Sequence, residues 1–201
     1  TNDDTAPTLT LTSSSSSVDE DGSAITVTGT LSNPTYQTVT VGISASGTAT
    51  LNTDYTLSST SFTITSGISS NSLTVTPSDD STFEGDETII IDVSSVSGGS
   101  ATENGTQQVT VSLKEDDAGP ELSINDVTTS DESAANATFT ITTSSISASN
   151  MTVDYATFNG TATAGSDYTA TNGTATITAG QSSTTFSVAV LADTTDEPNE
   201  T

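Results

Sequence analysis

The sequence predicts an all-β protein made of tandem immunoglobulin-like antiparallel β-sandwiches, the second of which is incomplete. Apolar and hydroxyl residues alternate in short segments such as Val39-Thr40-Val41 and Leu73-Thr74-Val75, and this period of two is typical of half-buried strands. Ser and Thr together account for 79 of 201 residues, and the β-branched Thr side chain favours strands while keeping the outer face polar. A set of acidic residues also recurs after 112 or 113 positions, which indicates a tandem repeat.

Seven strands are predicted in the first repeat from the alternating segments and the Gly, Asn, Asp and Ser residues between them. Seven strands suit a two-sheet sandwich around one core. The continuous apolar run Ile89-Ile90-Ile91 marks one of them as the most buried. The strands lie near 8–12, 23–32, 37–46, 60–65, 71–77, 87–97 and 106–114.

The second repeat contains only five predicted strands, because the counterparts of 87–97 and 106–114 would lie beyond residue 201. A sandwich with two strands missing has open edges and an uncovered core. We therefore expect either that Thr201 is a truncation point or that another chain supplies the strands. The predicted strands lie near 121–126, 136–143, 150–158, 173–178 and 183–191. The predicted organisation is the tail of a preceding repeat or a linker at 1–6, a first domain at 7–117 and a second at 118–201.

Composition narrows the function classes. The formal net charge is −25, with one basic residue against 26 acidic ones, which disfavours nucleic acid and anionic membranes as partners. The chain has no His and no Cys, so imidazole and thiolate metal sites are excluded and any metal must be held by oxygen. There is also no His or Cys to act as a base or nucleophile, no Gly-rich phosphate-binding loop and no Gly-x-Ser-x-Gly motif. These features favour a non-enzymatic protein.

Two acidic constellations recur in register. Their members are spaced by 112, 113, 113 and 113 residues, and loop acids that serve solubility alone have no reason to keep such a register. Ca²⁺ takes six to eight oxygen ligands, several of them carboxylates, so the repeated set predicts a Ca²⁺ site in each domain. The competing interpretation is that these acids are solvated loop residues that bind no ion and protect the sheet edges. The matched residues are Glu20, Asp54, Asp80 and Glu84 in the first repeat and Glu132, Asp167, Asp193 and Glu197 in the second.

The same segments resemble the Calx-β domain family over nearly the whole chain. In the first repeat the resemblance lies in Asp-Glu-Asp-Gly at 19–22, Gly-Thr-Ala at 47–49 with Asp-Tyr at 54–55, the acidic segment 79–88, and Glu-Asp-Asp at 115–117. In the second repeat it lies in Asn159–Tyr168, Ala179–Gln181 and Asp193–Glu200.

The resemblance implies an immunoglobulin-like sandwich with Ca²⁺ ligands in loops at one end. It adds three candidates to the first set, so the implied ligands are Glu20, Asp54, Asp80, Glu84, Glu115, Asp116 and Asp117, followed by Glu132, Asp167, Asp193 and Glu197. Ser81 and Thr194 replace an acid of the family pattern, and Leu51-Asn52-Thr53 stands where Ala-Gly-Ser is usual. These departures affect how many ions each domain is expected to bind.

We expect this array to act outside the cell as a Ca²⁺-binding structural repeat of a bacterial adhesin, stalk, filament or matrix protein. Its expected partners are calcium ions and neighbouring repeats or protomers of the same protein, with β-strand complementation as one mode of contact between them. The alternative is a Ca²⁺-sensing regulatory module, as in sodium/calcium exchangers. The single basic residue and the high Ser and Thr content favour the structural role. A Thr-rich carbohydrate- or ice-binding face is a weaker alternative, because the Thr positions have no fixed short repeat.

Overall fold

A computed structural model describes residues 4–133 and 136–201 of the chain. These residues form strands, turns and irregular segments, which confirms the predicted all-β class, and none of them belongs to a helix that could span a membrane. The chain divides into two compact units. The first unit is Thr1–Asp80 with Gly85–Asp116, and the second unit is Ser81–Glu84 with Asp117–Thr201. The predicted tail at 1–6 lies partly outside the described residues.

The first unit is a sandwich of two five-stranded sheets. Its strands are β1 (Thr8–Ser13), β2 (Ser17–Asp19), β3 (Ile25–Leu31), β4 (Val39–Gly47), β5 (Tyr55–Leu57), β6 (Ser61–Ile64), β7 (Ser70–Pro77), β9 (Glu87–Ser97), β10 (Thr102–Glu103) and β11 (Gln108–Lys114). One sheet has the strand order β10-β1-β3-β7-β5 and the other has the order β2-β11-β9-β4-β6.

One hydrophobic core lies between these two sheets. Leu9 and Val27 come from the first sheet and Ile89 and Ile91 from the second, and all four are fully buried. Ile90 lies on the other face of β9 and is only half-buried, so the apolar run is buried at alternate positions rather than throughout. Burying each such aliphatic side chain contributes roughly 1.5–3 kcal/mol, so this core is the main stabilising element of the first unit.

The second unit has smaller sheets. Its strands are β8 (Thr82–Phe83), β12 (Leu122–Ile124), β13 (Asn136–Thr143), β14 (Ile146–Ser147), β15 (Met151–Ala156), β16 (Asn172–Ile177) and β17 (Ser183–Ala189). They form a three-stranded sheet of order β12-β13-β17 and two pairs, β15 with β16 and β14 with β8. Tyr155 of β15 stacks on Phe186 of β17 with a centroid separation of 3.8 Å, so the rings join two of these sheets.

The pairing registers show that the two units repeat one plan. Leu9 pairs with Leu31 in the first unit, and Leu122 pairs with Thr143 in the second. Val39 likewise faces Ile64, and Met151 faces Ile177. Each of these residues of the second unit lies 112 or 113 positions after its counterpart in the first. The strands β12, β13 and β17 therefore correspond to β1, β3 and β7, and β15 and β16 correspond to β4 and β6.

The predicted strands are present, most of them with shifted ends, and five short strands were not predicted. Each unpredicted strand has two or three residues, too few to show a periodic pattern. Their existence depends on partners far away in the sequence, as when β2 pairs in parallel with β11. The unpredicted strands are β2, β5, β8, β10 and β14.

Candidate metal centre

Four strand termini meet at one end of the second sheet of the first unit. Gly47 at the end of β4 pairs with Ile89 near the start of β9, and Glu87 at that start faces Leu113 of β11. The parallel pairing of β2 with β11 sets Asp19 opposite Lys114. Because parallel strands end at the same edge, the residues that follow them are also brought together.

Glu20, Glu115 and Asp116 form the first acidic cluster. Each has a carboxylate oxygen within 4.8 Å of the others, as the parallel register predicts for residues directly after β2 and β11. The Glu20 amide donates to the Lys114 carbonyl at 3.1 Å, and Glu115 Oε2 accepts from the Gly85 amide at 2.7 Å. Glu20 is only 4% exposed. A buried carboxylate needs hydrogen bonds or a compensating charge, and a bound cation is one charge that could serve.

Asp54 and Glu87 form a second group of acids at the same end. They have carboxylate oxygens within 4.8 Å of each other, and Asp54 is 6% exposed. Asp54 follows the loop after β4, and Glu87 is the first residue of β9. Tyr55 lies in the core beside them, where burial raises the pKa of its hydroxyl and the Asp54 charge adds to the shift. Tyr55 is therefore a packing residue that fixes the loop.

The loop that presents this aspartate is built in the same way in both units. Asp54 Oδ2 accepts from the Thr50 amide, and Asp167 Oδ2 accepts from the Thr163 amide at 2.6 Å. The main-chain carbonyl of each aspartate also accepts an amide hydrogen bond from a residue 24 positions later, Ser78 or Leu191, at 2.9 Å. The repeated hydrogen bonds hold both carboxylates in equivalent positions.

Asn52 explains one departure from the family pattern. It has a φ of 70°, and the equivalent Gly165 has a φ of 93°. Both values lie in the left-handed region, which Gly adopts freely and Asn adopts more readily than most residues. Their amides donate to the carbonyls of Tyr55 and Tyr168 at 2.8 Å. Replacing Gly by Asn therefore preserves the loop conformation.

The second unit has a corresponding cluster of Asp167, Glu197 and Glu200, with carboxylate oxygens within 4.8 Å of one another. Partial desolvation raises the pKa of Glu197, and the negative charges of Asp167, Asp193 and Glu132 add to the shift. Partial desolvation also raises the pKa of Glu200, followed by the charge of Asp167 and a hydrogen bond to it. Five acidic groups thus converge on one region.

The only basic side chain in the chain is engaged elsewhere. Lys114 forms an ion pair with Asp86 in the first unit. The hydrogen bond from Lys114 lowers the pKa of Asp86, with a further contribution from the Glu115 amide. The sequence contains no second basic side chain that could balance the five acids of the second unit.

Within the described residues, some of the predicted ligands do not belong to a cluster of three carboxylates from the same unit. Asp80 is exposed and is the last residue of Thr1–Asp80, which belongs to the first unit. Asp117 is the first residue of Asp117–Thr201, which belongs to the second unit. Glu84 lies in the Ser81–Glu84 segment, which groups with the second unit. Asp193 and Glu132 lie close enough to raise the pKa of Glu197 without being members of its cluster.

Two clustered acids, Glu87 and Glu200, were missed as candidates from the sequence. They are separated by 113 residues (200−87), so the register that identified the other acids also applies to this pair.

The family model of the Calx-beta domain matches residues 2–118 and again 115–201. Together the matches cover nearly the whole chain. The chain belongs to the Calx-beta domain family. The predicted family and the tandem arrangement are thereby confirmed. No curated protein matches the chain significantly.

Crystal structures of Calx domains resemble this tandem of Calx-beta domains at low sequence identity. CBD12 from CALX1.2 is 22% identical over 89% of this chain and 73% of that chain, with a TM-score of 0.45. The calcium binding domain CBD12 of CALX1.1 is 22% identical over 87% and 72%, also at 0.45. The apo-form Calx CBD1 domain is 20% identical over 55% and 99%, at 0.47. The family assignment rests on the two domain-model matches.

Asn52 offers a test of the loop conformation. We expect Asn52→Val to destabilise the first Calx-beta domain by about 1–2 kcal/mol, since a left-handed backbone is unfavourable for residues with a bulky Cβ. Asn52→Gly should be neutral or slightly stabilising. Thr53→Val is the control, because Thr53 lies in the same loop but outside the positive-φ positions. Chemical denaturation measures the effect, and equal losses for the two Val variants would contradict this account.

The raised pKa values of Glu197 and Glu200 predict the pH dependence of the second domain in a chelator. A raised pKa in the folded state means that the folded domain binds protons more readily than the unfolded chain. The stabilisation that this proton binding gives the folded domain is fully present below 4.5, the ordinary pKa of glutamate. It is lost as the pH rises through the pKa of the folded state. We therefore expect the melting temperature to increase when the pH is lowered from neutral towards 4.5.

The control for this pH series is the double variant Glu197→Gln and Glu200→Gln. It removes both titrations, so its melting temperature in chelator should change less with pH over the same range. A double variant with the same pH response as the unmodified protein would show that other groups cause the effect.

Proposed function

We propose that the chain is a non-enzymatic Ca²⁺-binding structural repeat of an extracellular protein, in which Ca²⁺ stabilises each Calx-beta domain. The observation that supports this most strongly is the duplication of acidic groups, Asp54 with Glu87 and Asp167 with Glu200, at the same spacing of 113 residues. The family assignment points to the same ion.

The donor chemistry fits Ca²⁺. The clustered groups contain carboxylates only, and the chain has no His or Cys, which favours a hard cation with oxygen ligands. In the first domain we assign binding to Glu20, Asp54, Glu87, Glu115 and Asp116, with Asp80, Glu84 and Asp117 as further predicted ligands. In the second domain we assign it to Asp167, Glu197 and Glu200, with Glu132 and Asp193 as further predicted ligands. A bound cation would offset the mutual repulsion of these carboxylates.

The proposed setting is a bacterial adhesin, stalk, filament or matrix protein. Composition supports an extracellular structural role, because 79 of 201 residues are Ser or Thr and only one is basic. A surface of this kind suits a solvated spacer, whereas a regulatory module that contacts a target usually carries mixed charges. The partners proposed here are calcium ions and neighbouring repeats or protomers.

Calcium is also proposed to stiffen the junction between the domains. Glu115 and Asp116 belong to the first acidic cluster, and Asp116 is the last residue of the first unit, directly before Asp117 of the second. An ion held by these two residues would restrict the backbone at the point where the second domain begins.

Calorimetry with and without a chelator tests the ion proposal. Ca²⁺ should raise the free energy of unfolding by roughly 2.7 kcal/mol at a hundredfold excess over Kd, because a ligand bound only by the folded state stabilises it. Asp54→Asn keeps an oxygen that can accept from the Thr50 amide but should lose most of the Ca²⁺ effect in the first domain. Asp21→Asn removes one negative charge from an exposed acid outside the clusters, and this variant should retain the Ca²⁺ effect. Superimposable melts of the unmodified protein would refute Ca²⁺ binding.

Small-angle scattering tests the structural role separately. With Ca²⁺ we expect a narrow distribution of extended shapes, and with chelator a broader one, since the junction is then free to bend. The Asp116→Asn variant should remain broad in Ca²⁺ if Asp116 holds the ion. A distribution that is unchanged by Ca²⁺ would leave ion binding intact but overturn the stiffening role.

A further inference from the structure

The tripeptide Asn-Gly-Thr occurs three times in the chain, at 104–106, 159–161 and 172–174. In each copy the main-chain nitrogen of Gly directly follows a residue with a side-chain amide. Because Gly has no Cβ, its nitrogen can approach the Asn Cγ with little steric hindrance. The three tripeptides are identical, so differences in their reactivity depend on the fold around them.

The copy at Asn104 is the most open of the three. Asn104 and Gly105 are exposed in the turn between β10 and β11. Apart from the two chain neighbours, no described residue has an atom within 4 Å of the place that a Cβ would take at Gly105. Within the described residues, the hydrogen bonds of Asn104 involve its main chain. Its amide donates to the Leu9 carbonyl at 3.0 Å, and its carbonyl accepts from Gln107 Nε2 at 2.6 Å. The side chain is therefore able to turn towards the Gly105 nitrogen.

The copy at Asn159 is held by side-chain hydrogen bonds. Asn159 Oδ1 accepts from the Ala164 amide at 2.9 Å and from the Tyr168 hydroxyl at 2.8 Å. Both hydrogen bonds would have to break before this side chain could turn towards the next main-chain nitrogen. The cost of losing them opposes the reaction at this site.

The copy at Asn172 is held by the main chain. Asn172 and Gly173 belong to β16 and pair with Ala156 and Tyr155 of β15. A Cβ at Gly173 would lie 2.9 Å from the Tyr155 hydroxyl, so this side chain occupies the space beside the glycine. The strand pair would have to open locally before the Gly173 nitrogen could reach the Asn172 Cγ.

We propose that Asn104 is a site of spontaneous deamidation, in which the main-chain nitrogen of Gly105 attacks the Asn104 side chain. A bond forms between this nitrogen and Cγ, the Cγ–Nδ2 bond breaks, and ammonia leaves with the former amide proton of Gly105. Water then opens the resulting five-membered imide. Opening at Cγ gives aspartate, and opening at the main-chain carbonyl carbon gives isoaspartate, in which the chain continues through Cβ and Cγ.

The isoaspartate product disturbs the contact between β10 and β1. Its carboxylate replaces the carbonyl that accepts from Gln107 Nε2, and the main chain towards Gln107 gains one atom. Gln107 Oε1 accepts from the Leu11 amide at 3.0 Å, so the change reaches an amide of β1. Both products also place a negative charge next to Glu103 in the sequence, and like charges repel. Deamidation therefore weakens the hold of β10 on β1.

Peptide mapping of the aged 201-residue chain tests the site. Mass spectrometry should show conversion of Asn104, and isoaspartyl methyltransferase should label the product. The rate should rise with pH, because the attacking amide must lose its proton. Conversion of Asn159 and Asn172 should be slower by about tenfold or more, because those sites must first open locally. In denaturant the three sites should react at similar rates. Equal rates in the folded chain, or the same order of rates in denaturant as in the folded chain, would overturn the proposal.

Matched variants separate this reaction from general ageing. Asn104→Gln keeps a side-chain amide, but attack on it requires a six-membered ring, so it should convert far more slowly. Asn172→Gln is the control and should leave the conversion of Asn104 unchanged. Hydrogen exchange at the Leu11 amide should become faster in the aged original chain and stay slow in aged Asn104→Gln. A Leu11 amide that keeps its protection after Asn104 has converted would overturn the weakened contact of β10 with β1.

Discussion

Repulsion between like charges is the constraint on which this protein depends. Strand register brings carboxylates to one end of the first sandwich, where Glu20 and Asp54 are also buried. The one basic side chain neutralises Asp86 at an exposed position, and exposed pairs of this kind contribute little stability. The carboxylates at this end repel one another, and a bound cation would offset that repulsion.

The repeat preserves geometry more strictly than sequence. Asn52 and Gly165 differ in chemistry but share a left-handed backbone and the same hydrogen bond to a tyrosine carbonyl. Val27 and Phe139 differ in volume but occupy equivalent positions of their sheets. What is common to the two domains is the path of the main chain, because that path fixes where Asp54 and Asp167 present their carboxylates.

The sequence predicted the long strands and most of the acidic groups, since both depend on local or periodic information. β9 and β13 were predicted with their observed limits because alternation extends over many residues. β2 was not predicted, because its three residues form a strand only through pairing with β11. Glu87 was overlooked although its spacing from Glu200 carried the signal. The near approach of Glu20 to Glu115 depends on the parallel pairing of β2 with β11, which no local pattern reveals.

The parallel pairing near the start and the end of the first domain has a mechanical consequence. β1 runs parallel to β10, with Thr8 opposite Thr102, and β2 runs parallel to β11, with Ser17 opposite Ser112. Tension applied through the two ends of the domain pulls the strands of each parallel pair in opposite directions along their length. The hydrogen bonds between them are then loaded together in shear, rather than opened one after another as in an unzipping hairpin. Several of these hydrogen bonds must therefore break together before either parallel pair can separate under tension.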